Sequence, residues 1–183
     1  MRLTLLRHGE TEANRRRLYY GATDLPLLPE SVRALRERAD SAPAASRYYT
    51  SGMSRAEQTL EAIFGPVPHE ILPGLREMNF GAFEMQSYEQ LKDDPAYQAW
   101  IQDVEHNRCP GGESADEVRR RSLAAVSTLL LRGEDCLCVT HGGVIAGLMT
   151  HWFGGTRYDY TPAPGRGYQI VFQDGRPVTW SNV

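Results

Sequence analysis

Three times in 183 residues, a short run suited to a buried strand stops at or beside a cation or an imidazole and gives way to a stretch of helical composition. Leu3-Thr4-Leu5-Leu6 runs into Arg7-His8-Gly9. Arg47-Tyr48-Tyr49-Thr50 ends in Ser51-Gly52-Met53-Ser54, just before Arg55. Cys136-Leu137-Cys138-Val139-Thr140, the strongest of the three, ends at His141-Gly142-Gly143. Runs of this length read as buried strands. Strands alternating with helices build a layered α/β domain around a largely parallel sheet. Ligands in such a sheet bind beyond the carboxyl ends of the strands. The pattern therefore predicts a three-layer α/β/α domain in which the three strand ends converge on one site.

The rest of the chain fits around these junctions. Glu10 to Arg17 begins a short helix, and Tyr19 to Pro29 is loop, broken by Gly21, Pro26 and Pro29. Glu30 to Ala39 has helical composition. Arg55 to Phe64 reads as a helix, with Ser54 as its N-cap and Glu57 completing a capping box. Glu70-Ile71-Leu72 is a candidate edge strand. Ser87 to Val104 looks helical but is interrupted at Pro95. Glu113 to Leu131 is a long helix with Val118, Leu123, Val126, Leu129 and Leu130 near helical spacing. Val144 to Phe153 is an apolar helix. Tyr168 to Phe172 and Val178 to Trp180 predict a hairpin across Asp174-Gly175. No repeat, linker or low-complexity tract divides the chain, so one domain over residues 1–183 is expected.

Composition narrows the function classes. A net charge of −3 argues against general nucleic-acid binding. No apolar run approaches the ~20 residues of a membrane helix. The N-terminus opens directly on a strand with no signal-peptide core. The three cysteines, Cys109, Cys136 and Cys138, form no disulfide framework and predict reduced thiols in a cytoplasmic protein. Monomer and homodimer both stay open.

The strand ends carry a definite chemistry. Cleaving a phosphate monoester needs cations on the phosphoryl oxygens, an in-line nucleophile and a proton for the leaving oxygen. Arg7 and Arg55 offer bidentate contacts, and helix N-termini after His8 and near His141 offer backbone donors. His8, neutral at one ring nitrogen, is suited to attack phosphorus and form a phosphohistidine. His141, if protonated, would donate to a phosphoryl oxygen. Such a site needs no metal and no cofactor. Each residue alone has a plainer reading, a surface ion pair or a structural histidine. All three strand ends carrying such groups weighs against it. A rival zinc reading of Cys136, Cys138 and His141 lacks a fourth ligand at ordinary spacing. A nucleotide-binding reading of Gly142 to Gly147 lacks the G-x-G-x-x-G pattern.

The ordered motifs resemble those of the histidine phosphatase, or phosphoglycerate mutase-like, superfamily. They are Leu6-Arg7-His8-Gly9-Glu10-Thr11 with Asn14, Tyr20 to Leu27, Thr50 to Thr59, Leu75 to Glu84, Pro110-Gly111-Gly112-Glu113-Ser114 and Val139 to Ile145. Phe83-Glu84-Met85 stands where that family frequently has Trp-Glu-Gly, and Gly52 where it commonly has Pro. The resemblance implies a phosphoglycerate mutase-like fold with His8 as nucleophile. It implies a phosphate pocket of Arg7, Asn14, Arg55 and His141, with Gly21 and Gly142 among the substrate-binding positions. Glu77 is implied as the proton donor and then the base. For Glu84 an ion pair is expected, and for Glu113 a charge at a helix N-terminus.

Only Met85 to Arg108 separates the Glu77 segment from the Pro-Gly-Gly loop, where mutases of this superfamily usually carry an insertion. A phosphatase acting on a small phosphorylated metabolite is therefore expected. The short motifs look most like α-ribazole phosphatases, which act in cobalamin assembly, and broad-specificity phosphatases share them. A phospho-ligand sensor is the non-enzyme alternative. Tyr19, Tyr20, Phe83, Tyr88, Tyr97 and Trp100 are candidates for an aromatic cap, or simply for core.

Overall fold

In a computed structural model describing residues 1–183, the chain runs in order through fifteen regular elements. These are β1 (Arg2–Arg7), α1 (Glu12–Arg15), β2 (Leu18–Tyr19), α2 (Pro29–Glu37), β3 (Arg47–Thr50), α3 (Ser54–Phe64), β4 (Glu70–Ile71), β5 (Gln86–Ser87), α4 (Tyr88–Leu91), α5 (Pro95–Gln102), α6 (Ala115–Arg132), β6 (Cys136–Thr140), α7 (Gly142–Phe153), β7 (Gly167–Gln173) and β8 (Arg176–Asn182). The main sheet has the order β4-β3-β6-β1-β7-β8. The first four strands are parallel, and β7 and β8 add an antiparallel edge. This is the expected layered α/β architecture.

Strand β6 is buried at every residue because it lies between two neighbours under helices on both faces. Its side chains alternate between the two layers. Leu137 and Val139 pack with Leu6, with Leu35 of α2 and with Ala56, Leu60 and Ile63 of α3. Cys136 and Cys138 face the other way, onto Leu3 and Leu5, Val118, Val126 and Leu129 of α6, and Val144, Ile145 and Leu148 of α7. The two cysteines thus share one face, as their spacing predicted.

Register decides where the site forms. Arg7 pairs with Thr140, and Thr50 pairs with Val139. The next residue of each outer strand still bonds to β6: His8 N–H donates to Thr140 O at 2.9 Å and Ser51 N–H to Val139 O at 3.2 Å. His8, His141 and Ser51 therefore emerge side by side from three adjacent strands. The backbone ladder places them before any side chain has made a contact.

Several local expectations change. The helix from Ser54 does not use Ser54 as an N-cap; its cap position is Met53, which makes no side-chain bond. Asp24 takes over, accepting from Ser54 N–H at 3.0 Å and from the Ser54 hydroxyl at 2.7 Å. Glu57 turns to Thr50 and His69 instead of closing a capping box. Pro95 does not break a helix but starts α5, with Asp94 capping it. The β7–β8 hairpin turns at Asp174-Gly175 with positive φ at both residues, as expected. Edge strand β4 also forms where expected, as Glu70–Ile71. Half of the candidate aromatic cap is core: Phe83, Tyr97 and Trp100 are buried against one another. No helix is long and apolar enough to cross a membrane.

Candidate active site

His8 is buried at the end of β1. Its Nδ1–H donates to the carbonyl of Gly9 at 2.6 Å. That bond fixes the tautomer and puts the lone pair on Nε2, where the Tyr20 hydroxyl, which donates to Asn14, stands 3.5 Å away. Burial pushes the His8 pKa well below the ordinary imidazole value, and the Arg55 charge pushes it the same way. A neutral imidazole with one exposed lone pair is the form a nucleophile requires.

His141 lies beside it, the ring centroids 5.1 Å apart. Nδ1 accepts from Arg55 Nε–H at 3.3 Å, so the ring proton sits on Nε2, which donates to the Ser51 hydroxyl at 2.8 Å. Burial lowers the His141 pKa strongly, and the Arg55 and His8 charges add to the effect. In the free pocket His141 is therefore neutral, not the protonated donor considered from the sequence.

Arg55, in the first turn of α3, is fully buried. Nη1–H donates to Thr23 O at 3.0 Å and Nη2–H to Gly21 O at 2.8 Å, and the guanidinium lies over the Tyr20 ring. Its salt-bridge partner is Asp24, an exposed carboxylate at the rim 3.6 Å away. A buried cation whose one salt-bridge partner stands at the rim favours an incoming anion. Arg7 donates from Nη1 to Pro162 O at 2.7 Å, while its buried Nε finds no partner. A Cβ on Gly142 would stand 3.2 Å from that Nε, so glycine there lets the Arg7 side chain lie across the start of α7.

Asn14 is oriented by its own helix cap. Its Oδ1 accepts from Thr11 N–H at 3.0 Å and from the Tyr20 hydroxyl at 2.9 Å, which turns the amide NH2 to the pocket it lines. Backbone donors after His8, expected to meet the anion, are engaged elsewhere. Gly9 N–H donates to Thr59, Glu10 N–H to Ser31 and Thr11 N–H to Asn14. At α7 the Gly143 N–H is held by Glu77 Oε2 at 2.9 Å, and Gly142 N–H has no intrahelical acceptor. Glu77 is fixed at its other oxygen by Met78 N–H at 2.9 Å.

Glu84 is no ion pair. Its carboxylate accepts from the N–H groups of Gly21, Ala22, Thr23 and Phe80 and from the Thr23 hydroxyl, at 2.6–3.2 Å. It clamps the loop whose carbonyls hold Arg55. Gly21 sits in that clamp with both its N–H and its C=O engaged within the protein, and a Cβ there would collide with Met78 O. Gly21 thus serves the close approach of two protein segments and holds Arg55, and it offers a substrate no free backbone group. Glu113 does sit just before α6, and it also pairs with Arg121 and accepts from Asn79 N–H. The cysteines take no part: Cys136 and Cys138 lie in the apolar core, and burial pushes the Cys109 thiol up to about 12. No group of three or more His, Cys, Asp or Glu side chains is arranged to hold a metal.

Ser51 was missed from the sequence. It closes a strand at the same edge as His8 and His141, and that position was the available signal.

Comparison with known proteins bears on this arrangement. A family model described as Histidine phosphatase superfamily (branch 1) matches residues 3–178. The chain is 35% identical over 155 residues to the adenosylcobalamin/alpha-ribazole phosphatase of Salmonella typhimurium, covering 80% of this chain and 76% of that one. It superposes on the alpha-ribazole phosphatase from Shigella flexneri with a TM-score of 0.87 at 26% identity, over 97% of this chain and 93% of that one. The phosphoglycerate mutase from Thermus thermophilus gives a TM-score of 0.77 at 30% identity, over 98% of each chain. The fold is thus phosphoglycerate mutase-like, as the motifs implied.

Proposed function

Because the chain belongs to the histidine phosphatase superfamily, branch 1, we propose that it is a phosphomonoesterase working through a phosphohistidine, with α-ribazole 5′-phosphate as its substrate. It acts as one domain over residues 1–183, needs no metal, and takes a small phosphorylated metabolite. The free, buried thiols support a cytoplasmic setting.

The observation that carries this reading is the state of His8: buried, neutral, with Nδ1–H tied to Gly9 O and the lone pair on Nε2, beside two arginines and 3.5 Å from the Tyr20 hydroxyl. The phosphoryl group sits between Arg7, Arg55, His141 and the Asn14 NH2. His8 Nε2 attacks phosphorus as the bond to the ester oxygen breaks, and Glu77 gives that oxygen a proton. The Glu77 carboxylate then takes a proton from water. The water oxygen attacks phosphorus, the P–N bond breaks, and the electron pair returns to His8. Arg55 and Arg7 stabilise the charge that spreads over the phosphoryl oxygens in both steps.

Phosphate release in the presence of a chelator, from α-ribazole 5′-phosphate, 3-phosphoglycerate and an aryl phosphate side by side, tests the proposal. Turnover should be fastest on α-ribazole 5′-phosphate and absent in folded His8→Ala. Turnover near the native rate in His8→Ala would overturn the nucleophile. Release from none of the three by the native protein would favour a sensor.

A further inference from the structure

Two cavities border Glu77, and it is the one residue they share. The smaller, about 160 Å³, is the pocket containing His8, Arg7 and Asn14. The larger, about 530 Å³, has Ala22, Gly52, Arg76, Asn79 and the Gly111-Gly112 turn in its wall. Sites that enclose a whole small-molecule ligand run from roughly 300 Å³ upward. The smaller pocket suits a phosphoryl group, and the remainder of a larger ester has to lie outside it. On the phosphatase reading, on which this inference rests, the leaving oxygen stands at Glu77. Glu77 opens onto the larger cleft.

We infer that this cleft seats the leaving alcohol and selects a neutral, hydroxylated alcohol of nucleoside size over one that carries a second anion. Charge is the first argument. The cleft holds three arginines, Arg76, Arg108 and Arg121, against three carboxylates, Asp24, Glu77 and Glu113. Arg121 is tied to Glu113 and to the carbonyls of Gly74, Arg76 and Glu77. Arg108 lies on Glu117. A second anion meets no excess of positive charge here, unlike the phosphoryl group beside buried Arg55.

Hydrogen bonding is the second argument. Arg76 makes only a 3.4 Å bond from Nε to Ser51 O, so its terminal N–H groups are free for hydroxyl or ring acceptors. The Asn79 Oδ1 is taken by Gly81 N–H, which leaves its NH2 as a donor. Shape is the third. Tyr19, Tyr20 and Phe80 line the small pocket, while no aromatic side chain lines the cleft. Of the glycines on its wall, Gly111 has open space where a Cβ would stand, so a ring can lie close to the backbone there, whereas at Gly21, Gly52 and Gly112 that space is filled by Met78 O, Ile71 and Asn79 O.

Calorimetric titration in the His8→Ala background separates this inference from the catalytic one, because it reads binding without turnover. The probes are α-ribazole 5′-phosphate, 3-phosphoglycerate and inorganic phosphate. α-Ribazole 5′-phosphate should bind at least about tenfold tighter than inorganic phosphate, and 3-phosphoglycerate no tighter than inorganic phosphate. Adding Ala22→Trp, which puts an indole into the cleft, should abolish that advantage. Arg76→Gln should reduce it about threefold. Inorganic phosphate affinity in each variant shows that the protein is folded. An advantage that survives Ala22→Trp, or its absence in the parent, would overturn the assignment, as would tighter binding of 3-phosphoglycerate. Binding as expected with no phosphate release from the native protein would remove the catalytic reading and leave the cleft assignment standing.

Discussion

The phosphoryl pocket and the wide cleft beside it are built by opposite means. In the pocket nearly every polar side chain has its orientation fixed by a second contact: His8 by Gly9, His141 by Ser51 and Arg55, Arg55 by two loop carbonyls, Asn14 by Thr11 and Tyr20. In the cleft, Arg76 and Arg108 are exposed and lightly held. The pocket grows out of strand ends, and much of the cleft wall comes from turns. Chemistry demands fixed geometry, whereas accommodation of a leaving group tolerates looser walls.

The largest expected effect that tests this contrast is acid sensitivity. His8 and His141 have folded-state pKa values pushed below the unfolded value of about 6.5. Below that pH the unfolded chain binds protons that the native pocket refuses, so stability is present above about pH 6.5 and falls as the pH drops. Two such groups give a slope approaching 2.7 kcal/mol per pH unit well below pH 6.5, or about 3 kcal/mol between pH 6.5 and 5. Urea unfolding against pH should show it, and His8→Asn with His141→Asn should remove that part of the slope. An unchanged slope in the double variant would mean the pocket is not the source.

A smaller effect separates the two regions directly. Glu84→Gln places an NH2 among N–H donors and should cost about 2–3 kcal/mol of stability. It should also weaken inorganic phosphate binding about tenfold, as the Gly21–Thr23 loop releases Arg55. Arg108→Gln in the cleft should cost no more than about 0.5 kcal/mol. Equal losses in the two variants would erase the distinction between rigid pocket and loose cleft.

The smallest effect lies just behind Glu84. Met85 has φ of 61°, a left-handed conformation that strains a side chain. Glycine, frequent at that position in the family, avoids the strain, and Met85→Gly should raise stability by about 0.5 kcal/mol in thermal unfolding. A loss instead would show that packing of the Met85 side chain outweighs the strain.

The strand-end histidines and arginines were legible because an apolar run followed by a polar junction is a local signal. His8, Arg55 and His141 come together through the register of three adjacent strands, which the alternation of strands and helices already implied. What could not be read was any contact made across a loop. Nothing near Ser54 announces that Asp24, thirty residues earlier, caps its helix. Glu84 looked like half of an ion pair because its real partners are backbone N–H groups, which look the same in every sequence. The protonation of His141 stayed open because burial depth, which lowers its pKa, cannot be read from a strand pattern alone. The Gly52 turn has φ of 75°, which proline cannot adopt, so the family's common proline would not fit this backbone.

The ladder that sets His8, His141 and Ser51 side by side also gives the site a phase. Side chains alternate faces along each strand, so one inserted residue in β1, β3 or β6 would turn the following group from the pocket into the apolar layers. Two inserted residues would restore its facing but carry it roughly 7 Å along the strand, out of reach of its partners. Point substitution and chain-length change are therefore unequal hazards across this molecule. Of the turns around the cleft, the one at Gly111, with open space beside it, can change length while the reacting groups keep their spacing, whereas the Gly21–Thr23 loop is tied to Arg55. The three central strands are closed to that kind of variation.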